Sequence, residues 1–489
     1  MSAEPLTSPS GAGAGPEGEV ERRAHAAAML GGVSDSPTGR SPMFRFDGEL
    51  ADLIFDYCRR RLAMDPVALD LGGSAPLSPG VLDGLIGPRP NDPKTVLSVF
   101  EKELAPAVVS ADSPRFLAFI PAVPTKASLL FDMIVSCSSL QGTSWLEAAG
   151  AVMAENQALG VLSELAGLPE GAGGCFVSGG SMGNLSALLV ARDTANSRRA
   201  GSSTRPLVAV SEEAHSSVAK ALHVIGAEPL LVPTTDHRLR GDALERTLAE
   251  AGDDSVVAVV ATAGTTNAGI VDDLAGVAEV ARRRHLWFHV DAAYGGAALF
   301  APSARPRFDG IEHADSLVID PHKWLYAPFD CAALIYRDPT LARGVHAQHA
   351  EYLEAFHEGA VEPFNPSDYA FHLTRRARGL PLWFSLAVYG TDAYRDAIET
   401  VLATAQSAAR LIDESDHVEL VREPELSVVL FRRPGWSRSH YDAWSTELLT
   451  RQIGFVVPTS WEGEPVGRLA FLHPNTTLDM VREILDTLA

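Results

Sequence analysis

Cysteine is scarce in this chain, and so is positive charge. Four cysteines, Cys58, Cys137, Cys175 and Cys331, are scattered over 489 residues without a CxxC pair. That spacing excludes a disulfide framework and a cysteine zinc site, and it fits a reducing, cytoplasmic setting. Lysine and arginine number 40 against 62 aspartates and glutamates, a formal net charge of −22. A nucleic-acid partner, whose phosphates demand a cationic surface, is not expected. No apolar run approaches bilayer-spanning length and the N-terminus has no apolar signal core, so no membrane association is expected either. No metal site is expected: His346, His349 and His357 lie close in sequence, but no carboxylate or cysteine completes a familiar ligand spacing. What is present is apolar material: 46% of residues are hydrophobic and 21% charged, enough for a large core and more than one domain.

Residues 1–42, rich in Ala, Gly, Ser and Pro, read as a disordered tail that cannot offset its chain entropy by burial. Order is expected from Met43. Apolar residues at helical spacing (Leu50, Leu53, Ile54, Tyr57) predict a helix over Phe46 to Ala63, and another is expected near Lys94 to Leu104. From about Gly173, short apolar strands alternate with amphipathic helices. Strands are predicted at Cys175–Val177, Leu207–Val210, Leu230–Val232, Val256–Thr262, Leu286–Val290, Ser316–Ile319 and Ala332–Tyr336. Helices are predicted at Asn184–Thr194, Ser216–Ile225, Asp242–Ala251 and Leu274–Arg284. The alternation implies an α/β fold, a mostly parallel sheet covered by helices. Beyond Pro381, a long helix and separated strands (Ser427–Phe431, Arg468–Leu472) read as a smaller α+β domain. The expected division is a tail over 1–42, an N-terminal helical segment over 43–124, a large domain over 125–380 and a small domain over 381–489.

In an open parallel sheet, ligands gather at the C-terminal ends of the strands. The run Ser316-Leu317-Val318-Ile319 ends in Asp320-Pro321-His322-Lys323-Trp324. Packing rarely places a lysine there. An amine at that point can form a Schiff base, and desolvation is expected to lower its pKa toward that task. The bland alternative is a loop lysine. Gly179, Gly180 and Ser181 precede a helix, whose free N–H groups and dipole favour an anion such as phosphate. The motif is neither a Walker loop nor GxGxxG, and a glycine-rich turn is the alternative. His215 follows another strand, with Ser216 or Ser217 as the expected helix cap; its ring can stack on an aromatic ligand or simply occupy the loop. Thr265 and Thr266 offer hydroxyls to ring substituents, or cap a turn. Asp291 ends an apolar strand, so its carboxylate needs a partner. A protonated pyridine nitrogen would serve, as would a scaffold arginine. Anion cradle, stacking ring, hydroxyls, carboxylate and imine-forming lysine together match the parts of pyridoxal phosphate.

With these residues in view, the chain resembles the group II pyridoxal-phosphate amino-acid decarboxylases of fold type I, which include the aromatic-L-amino-acid and glutamate decarboxylases. The resemblance runs from roughly Phe44 to the C-terminus. It is carried by Asp291-Ala292-Ala293-Tyr294, His322-Lys323-Trp324, Phe329-Asp330-Cys331 and the closing Arg468-Leu469-Ala470-Phe471 with Pro474-Asn475-Thr476-Thr477. It implies decarboxylation of a small-molecule amino acid by a homodimer, with active sites at the subunit interface and an exchanged N-terminal segment. It implies Lys323 as the Schiff-base lysine, Asp291 on the pyridine nitrogen, and His215 and Ala293 on the two ring faces. Thr266 is then near the phenolic oxygen, with Gly180, Ser181 and His322 at the phosphate. Tyr352, in the matching loop segment Ala350-Glu351-Tyr352-Leu353-Glu354, becomes the proton donor after carbon dioxide leaves.

The departures from that family bear on the substrate. Where the aromatic-specific enzymes carry asparagine, this chain has Asp320, whose charge would repel phosphate unless it bonds a donor. Phe119 and Pro121 match an apolar wall, while Gln141, Thr143 and Thr374 make the rest of the expected substrate pocket polar. A substrate other than a simple aromatic amino acid is therefore expected. The alternatives are an oxidative deamination that yields an aldehyde, and a non-catalytic dimeric paralogue; Tyr352 and His215 weigh against the first, and Lys323, Asp291 and His215 against the second.

Overall fold

The computed structural model describes residues 42–120, 123–198, 205–252, 255–348, 350, 351, 353 and 364–489. Pro121 and Tyr352 lie outside the described residues. Packing divides the chain into a unit ending at Cys58 and a unit Arg59–Ala489. The helix Gly48–Leu62 begins in the first unit, where the Asp47 carboxylate accepts the Leu50 N–H at its start. Arg59, Arg60 and Arg61 close it, cations at the end where the helix dipole favours them.

The second unit is built on a seven-stranded sheet: β1 (Gly173–Val177), β2 (Leu207–Ser211), β3 (Glu228–Val232), β4 (Val256–Thr262), β5 (Trp287–Asp291), β6 (Ser316–Ile319) and β7 (Ala332–Tyr336). The spatial order is β1-β7-β6-β5-β4-β2-β3. Strands β2 to β6 pair in parallel, and β7 runs against both of its neighbours. The mostly parallel sheet read from the sequence is the sheet that forms. Helices cross between the parallel strands and cover both faces, so the central strands are largely apolar, and every residue of β4 is buried. A four-stranded antiparallel sheet follows, from β8 (Glu419–Leu420), β9 (Val428–Arg432), β10 (Thr459–Trp461) and β11 (Glu464–Ala470), in the order β10-β11-β9-β8. The helix Leu380–Asp413 packs on it and is kinked at Gly390, whose φ of 76° is open to glycine. Among the described residues, no helix is long and apolar enough to cross a membrane.

Boundaries moved in a few places. The last strand starts earlier than expected and stops at Ala470, because its pairing with β9 runs from Gly467 opposite Phe431 to Ala470 opposite Val428. The helix expected near Lys94 to Leu104 is an α-helix over Pro93–Val99 that widens into a π turn over Phe100–Leu104. Two helices, Lys126–Cys137 and Trp145–Leu165, were not expected at all. Register matters most at one rim of the large sheet. Thr262 sits opposite Asp291, and Asp291 opposite Val318, so the ends of β4, β5 and β6 are level and their loops share one space.

Candidate active site

A cavity of about 290 Å³ opens at that rim. Gly180, Ser181, His215, Thr266, Asp291, Ala293, His322 and Lys323 all line it, brought together from four strand ends and the start of the helix Gly180–Arg198. Its volume lies at the small end of ligand pockets and suits one small ring rather than an extended molecule.

Lys323 follows β6 in the short helix Pro321–Trp324. Its Nζ lies 3.0 Å from Asp320 Oδ2. Burial alone would pull the Lys323 pKa down, but the Asp320 and Asp291 carboxylates outweigh it and the net shift is upward. The lowering expected from desolvation is thus corrected: a carboxylate in contact favours the ammonium. Asp320 Oδ2 also accepts the Gly180 N–H at 3.2 Å and lies 3.5 Å from His322 Nε2. Its Oδ1 is buried without a partner among the described residues. That oxygen keeps its capacity to accept a hydrogen bond from a donor in the cavity. The negative charge anticipated at this position therefore bonds a donor, and that donor is one of the N–H groups expected to hold phosphate.

Among the described residues, no arginine pairs with Asp291. Its Oδ2 accepts from Asn184 Nδ2 at 2.8 Å and its Oδ1 from the Ala293 N–H at 3.1 Å. His215, and neither serine, caps the helix Ser216–Ile225: its Nδ1 accepts the Ser217 N–H at 3.2 Å. The same ring thus caps that helix and lines the cavity. His322 Nδ1 accepts the Cys331 N–H at 3.0 Å, and burial holds its pKa below the usual histidine value.

The residues expected to choose the substrate are not in this cavity. Gln141 and Thr374 are exposed, and Thr143 is buried beside Arg375, whose N–H reaches its Oγ1 at 3.4 Å. All three surround a buried pair in which Arg375 grips Glu155 at 2.7 and 2.8 Å. Phe119 is exposed, but Arg468 ties it to the cavity: its guanidinium donates to the carbonyls of Phe119, Thr266 and Asn267. Burial brings the Arg468 pKa down to about 10. Arg468 and Asn184 are functional-site residues whose roles the sequence reading missed. Arg468 lies inside a quoted motif and Asn184 opens a predicted helix, but their partners come from strands and loops far away in sequence.

The donor set fits pyridoxal phosphate. A lysine and a carboxylate face one small cavity, and a helix start and His322 mark an anion end. Comparison with known proteins agrees. The model of the pyridoxal-dependent decarboxylase conserved domain matches residues 82–433. The L-2,4-diaminobutyrate decarboxylase of Rhizobium meliloti is 33% identical over 389 residues, 77% of this chain and 77% of that one. The aromatic-L-amino-acid decarboxylase of Bacillus atrophaeus is 29% identical over 408 residues, 81% of this chain and 84% of that one. The crystal structure of Oryza sativa TDC with PLP and tryptamine superposes with a TM-score of 0.82 at 26% identity, covering 92% of this chain and all of that one. A chain with this sheet, this cavity and these relatives belongs to the pyridoxal-dependent decarboxylases, lyases that work on amino acids with pyridoxal phosphate as cofactor.

Proposed function

We propose that this chain removes the carboxylate of an L-amino acid as carbon dioxide and releases the amine, with Lys323 as the residue that holds the cofactor. The observation that carries the reading is the meeting of Lys323, Asp291 and His215 in one small cavity. Bound pyridoxal phosphate supplies an electron sink for the bond that breaks. Lys323 is a nucleophile only as the free amine, so the Asp320 carboxylate must release its ammonium before the lysine can act. Gly180, Ser181 and His322 would hold the phosphate, where Asp320 now accepts the Gly180 N–H. Asp291 would pair with the ring nitrogen, His215 and Ala293 would pack on the ring, and Thr266 would offer its hydroxyl to a ring substituent. Orientation and fixed charges of this kind supply much of the rate gain in such sites. Tyr352, outside the described residues, keeps its proposed role as proton donor, and Pro121 its place beside Phe119 in the apolar wall.

For the substrate we propose a polar amino acid rather than a simple aromatic one. Gln141, Thr143 and Thr374 support this by their chemistry. Within one chain Gln141 and Thr374 are exposed, so they would meet a substrate across the interface of a homodimer, while Thr143, buried, would act by holding the Arg375 backbone beside them; the two proposals stand together. The test is a panel of amino acids scored together for carbon dioxide, amine, aldehyde and peroxide, run beside a measurement of mass in solution. Amine without peroxide from a polar amino acid, by a dimer, is the expected result. Faster turnover of tryptophan or dopa than of every polar amino acid rejects the substrate assignment, and stoichiometric peroxide rejects simple decarboxylation.

A further inference from the structure

Asn184 sits on the first turns of the helix Gly180–Arg198 and is 1% exposed. Its amide meets three partners: Asp291 Oδ2 at 2.8 Å, Ser217 Oγ at 3.0 Å and His289 Nε2 at 2.9 Å. Chemistry allows one arrangement of the hydrogens. A carboxylate oxygen accepts, so the amide nitrogen faces Asp291 and sends its second hydrogen to Ser217. The amide oxygen then faces His289, whose Nε2 must carry a hydrogen. Trp287 Nε1 can only donate, and it donates to Ser316 Oγ at 2.8 Å. The Ser316 hydroxyl hydrogen is thereby directed to His289 Nδ1, also at 2.8 Å. Burial holds the His289 pKa well below the usual value, so its ring carries one hydrogen, on Nε2. The chain begins at a group that only donates, Trp287, and ends at one that accepts, Asp291. A flipped amide would set oxygen against the carboxylate and N–H against N–H.

The second arm reaches His215. Ser217 Oγ, accepting from Asn184, sends its own hydrogen to His215 Nδ1 at 2.8 Å, where the Ser217 N–H already points. The Nδ1 lone pair is filled, and the ring hydrogen belongs on Nε2. We propose that Asn184 is a positioning residue whose single amide sets the orientation of the Asp291 carboxylate and directs the Ser217 hydroxyl hydrogen onto His215 Nδ1, where the Ser217 N–H already fixes the tautomer, with the amide held against flipping by Trp287, Ser316 and His289. This rests on the reading that Asp291 and His215 face the cofactor ring. It would join the nitrogen edge of that ring to one of its faces through one side chain at the back of the cavity.

Two variants test it. Asn184→Asp keeps the shape and the acceptor toward His289 but loses both donors; Asn184→Ala loses all three bonds. In the full-length cofactor-free protein, imidazole nitrogen NMR should find His215 protonated on Nε2 in the wild type and, with the Ser217 hydroxyl free to turn away, a shifted Nδ1 resonance in either variant. In the holoenzyme, kcat should fall roughly ten- to a hundredfold with KM little changed, the scale of one or two charge-assisted hydrogen bonds. Asn184→Asp should also displace the acid limb of the pH profile, because two facing carboxylates share a proton. Asp291→Ala runs in parallel. If it is inactive while either the His215 Nδ1 resonance or kcat stays at the wild-type value in both variants, the proposal is overturned. If Asp291→Ala keeps full turnover, the cofactor reading fails first, and the role of Asn184 with it. Should Asn184→Ala not fold, the isosteric Asn184→Asp carries every measurement.

Discussion

Glu155 and Asp320 are both carboxylates taken out of water, and their neighbourhoods differ in a way that separates scaffold from site. Glu155 is gripped by both terminal nitrogens of Arg375 and accepts the Gly379 N–H as well, at 2.8 Å. Both side chains of that pair are almost fully buried. Fixed groups of the fold supply all of those bonds. Asp320 shares one oxygen between Lys323 and Gly180, and its other oxygen has no partner among the described residues. A buried charge closed on fixed partners specifies the structure. One left open beside a reactive lysine leaves room for chemistry.

That contrast predicts two opposite failures. Lys323→Ala should cost on the order of a thousandfold or more in kcat/KM and abolish the visible absorbance of bound cofactor, with the thermal midpoint of the cofactor-free protein little changed. Residual turnover near the wild-type rate would refute its role. Arg375→Ala should do the reverse. It strands the Glu155 charge and should lower the unfolding free energy by about 3–5 kcal/mol, read by denaturant titration, while kcat per folded molecule is retained. A loss of kcat without loss of stability in Arg375→Ala would erase the distinction between the two carboxylates.

Most of the sheet was legible because its strands are buried on both faces and announce themselves as apolar, β-branched runs. Val256–Thr262 and Ser316–Ile319 are found as expected from sequence. The helix Trp145–Leu165 was invisible for the opposite reason. Its small and apolar residues are spread all round, leaving no stripe to read, and it buries Glu155 among them. Lys323 was legible at a strand end, and one signal for it went unread: the chain has five lysines among its 40 basic residues, so a lysine here is unusual in itself. The pairing of Arg375 with Glu155 spans 220 positions, and that of Asn184 with Asp291 spans 107. No local pattern encodes such contacts. For the same reason Gln141, Thr143 and Thr374 could be recognised as polar but not placed: the fold sets them around the closed cluster, away from the open one.

Thr143 sharpens the comparison at a smaller scale. Thr143→Ala removes one hydrogen bond on the Arg375 backbone and should cost about 1 kcal/mol of stability. If Thr143 belongs to the scaffold alone, the ratio of kcat/KM between a polar and an aromatic amino acid should not move. If it also shapes the substrate pocket of the assembled dimer through the residues it holds, as proposed, that ratio should shift toward the aromatic substrate, and an unchanged ratio would return Thr143 to the scaffold.

The smallest effect belongs to a cluster of a third kind, open to solvent rather than to a ligand. His237 Nδ1 lies 2.7 Å from Glu213, two residues before His215, and its Nε2 lies 3.1 Å from Glu462 in the turn between β10 and β11. Its ring packs on Trp461 at 4.0 Å, with the Arg422 guanidinium 5.5 Å from the same indole. Burial alone lowers the His237 pKa, but the two carboxylates raise it further and the net shift is upward. A histidine whose folded pKa is raised stabilises the fold fully below its unfolded value, and that contribution fades as pH rises through the folded value. Stability should therefore decline between about pH 6.5 and the raised value, and His237→Gln should flatten that part of the curve. The side chain of His237 is 23% exposed and that of Glu462 66%, so water screens the pair and the difference should stay under about 1 kcal/mol. Thermal midpoints of both proteins across that range provide the measurement. An equal decline in wild type and His237→Gln would mean that the carboxylates around His237 hold no more than a surface contact, and that the link between the small sheet and the His215 loop rests on packing alone.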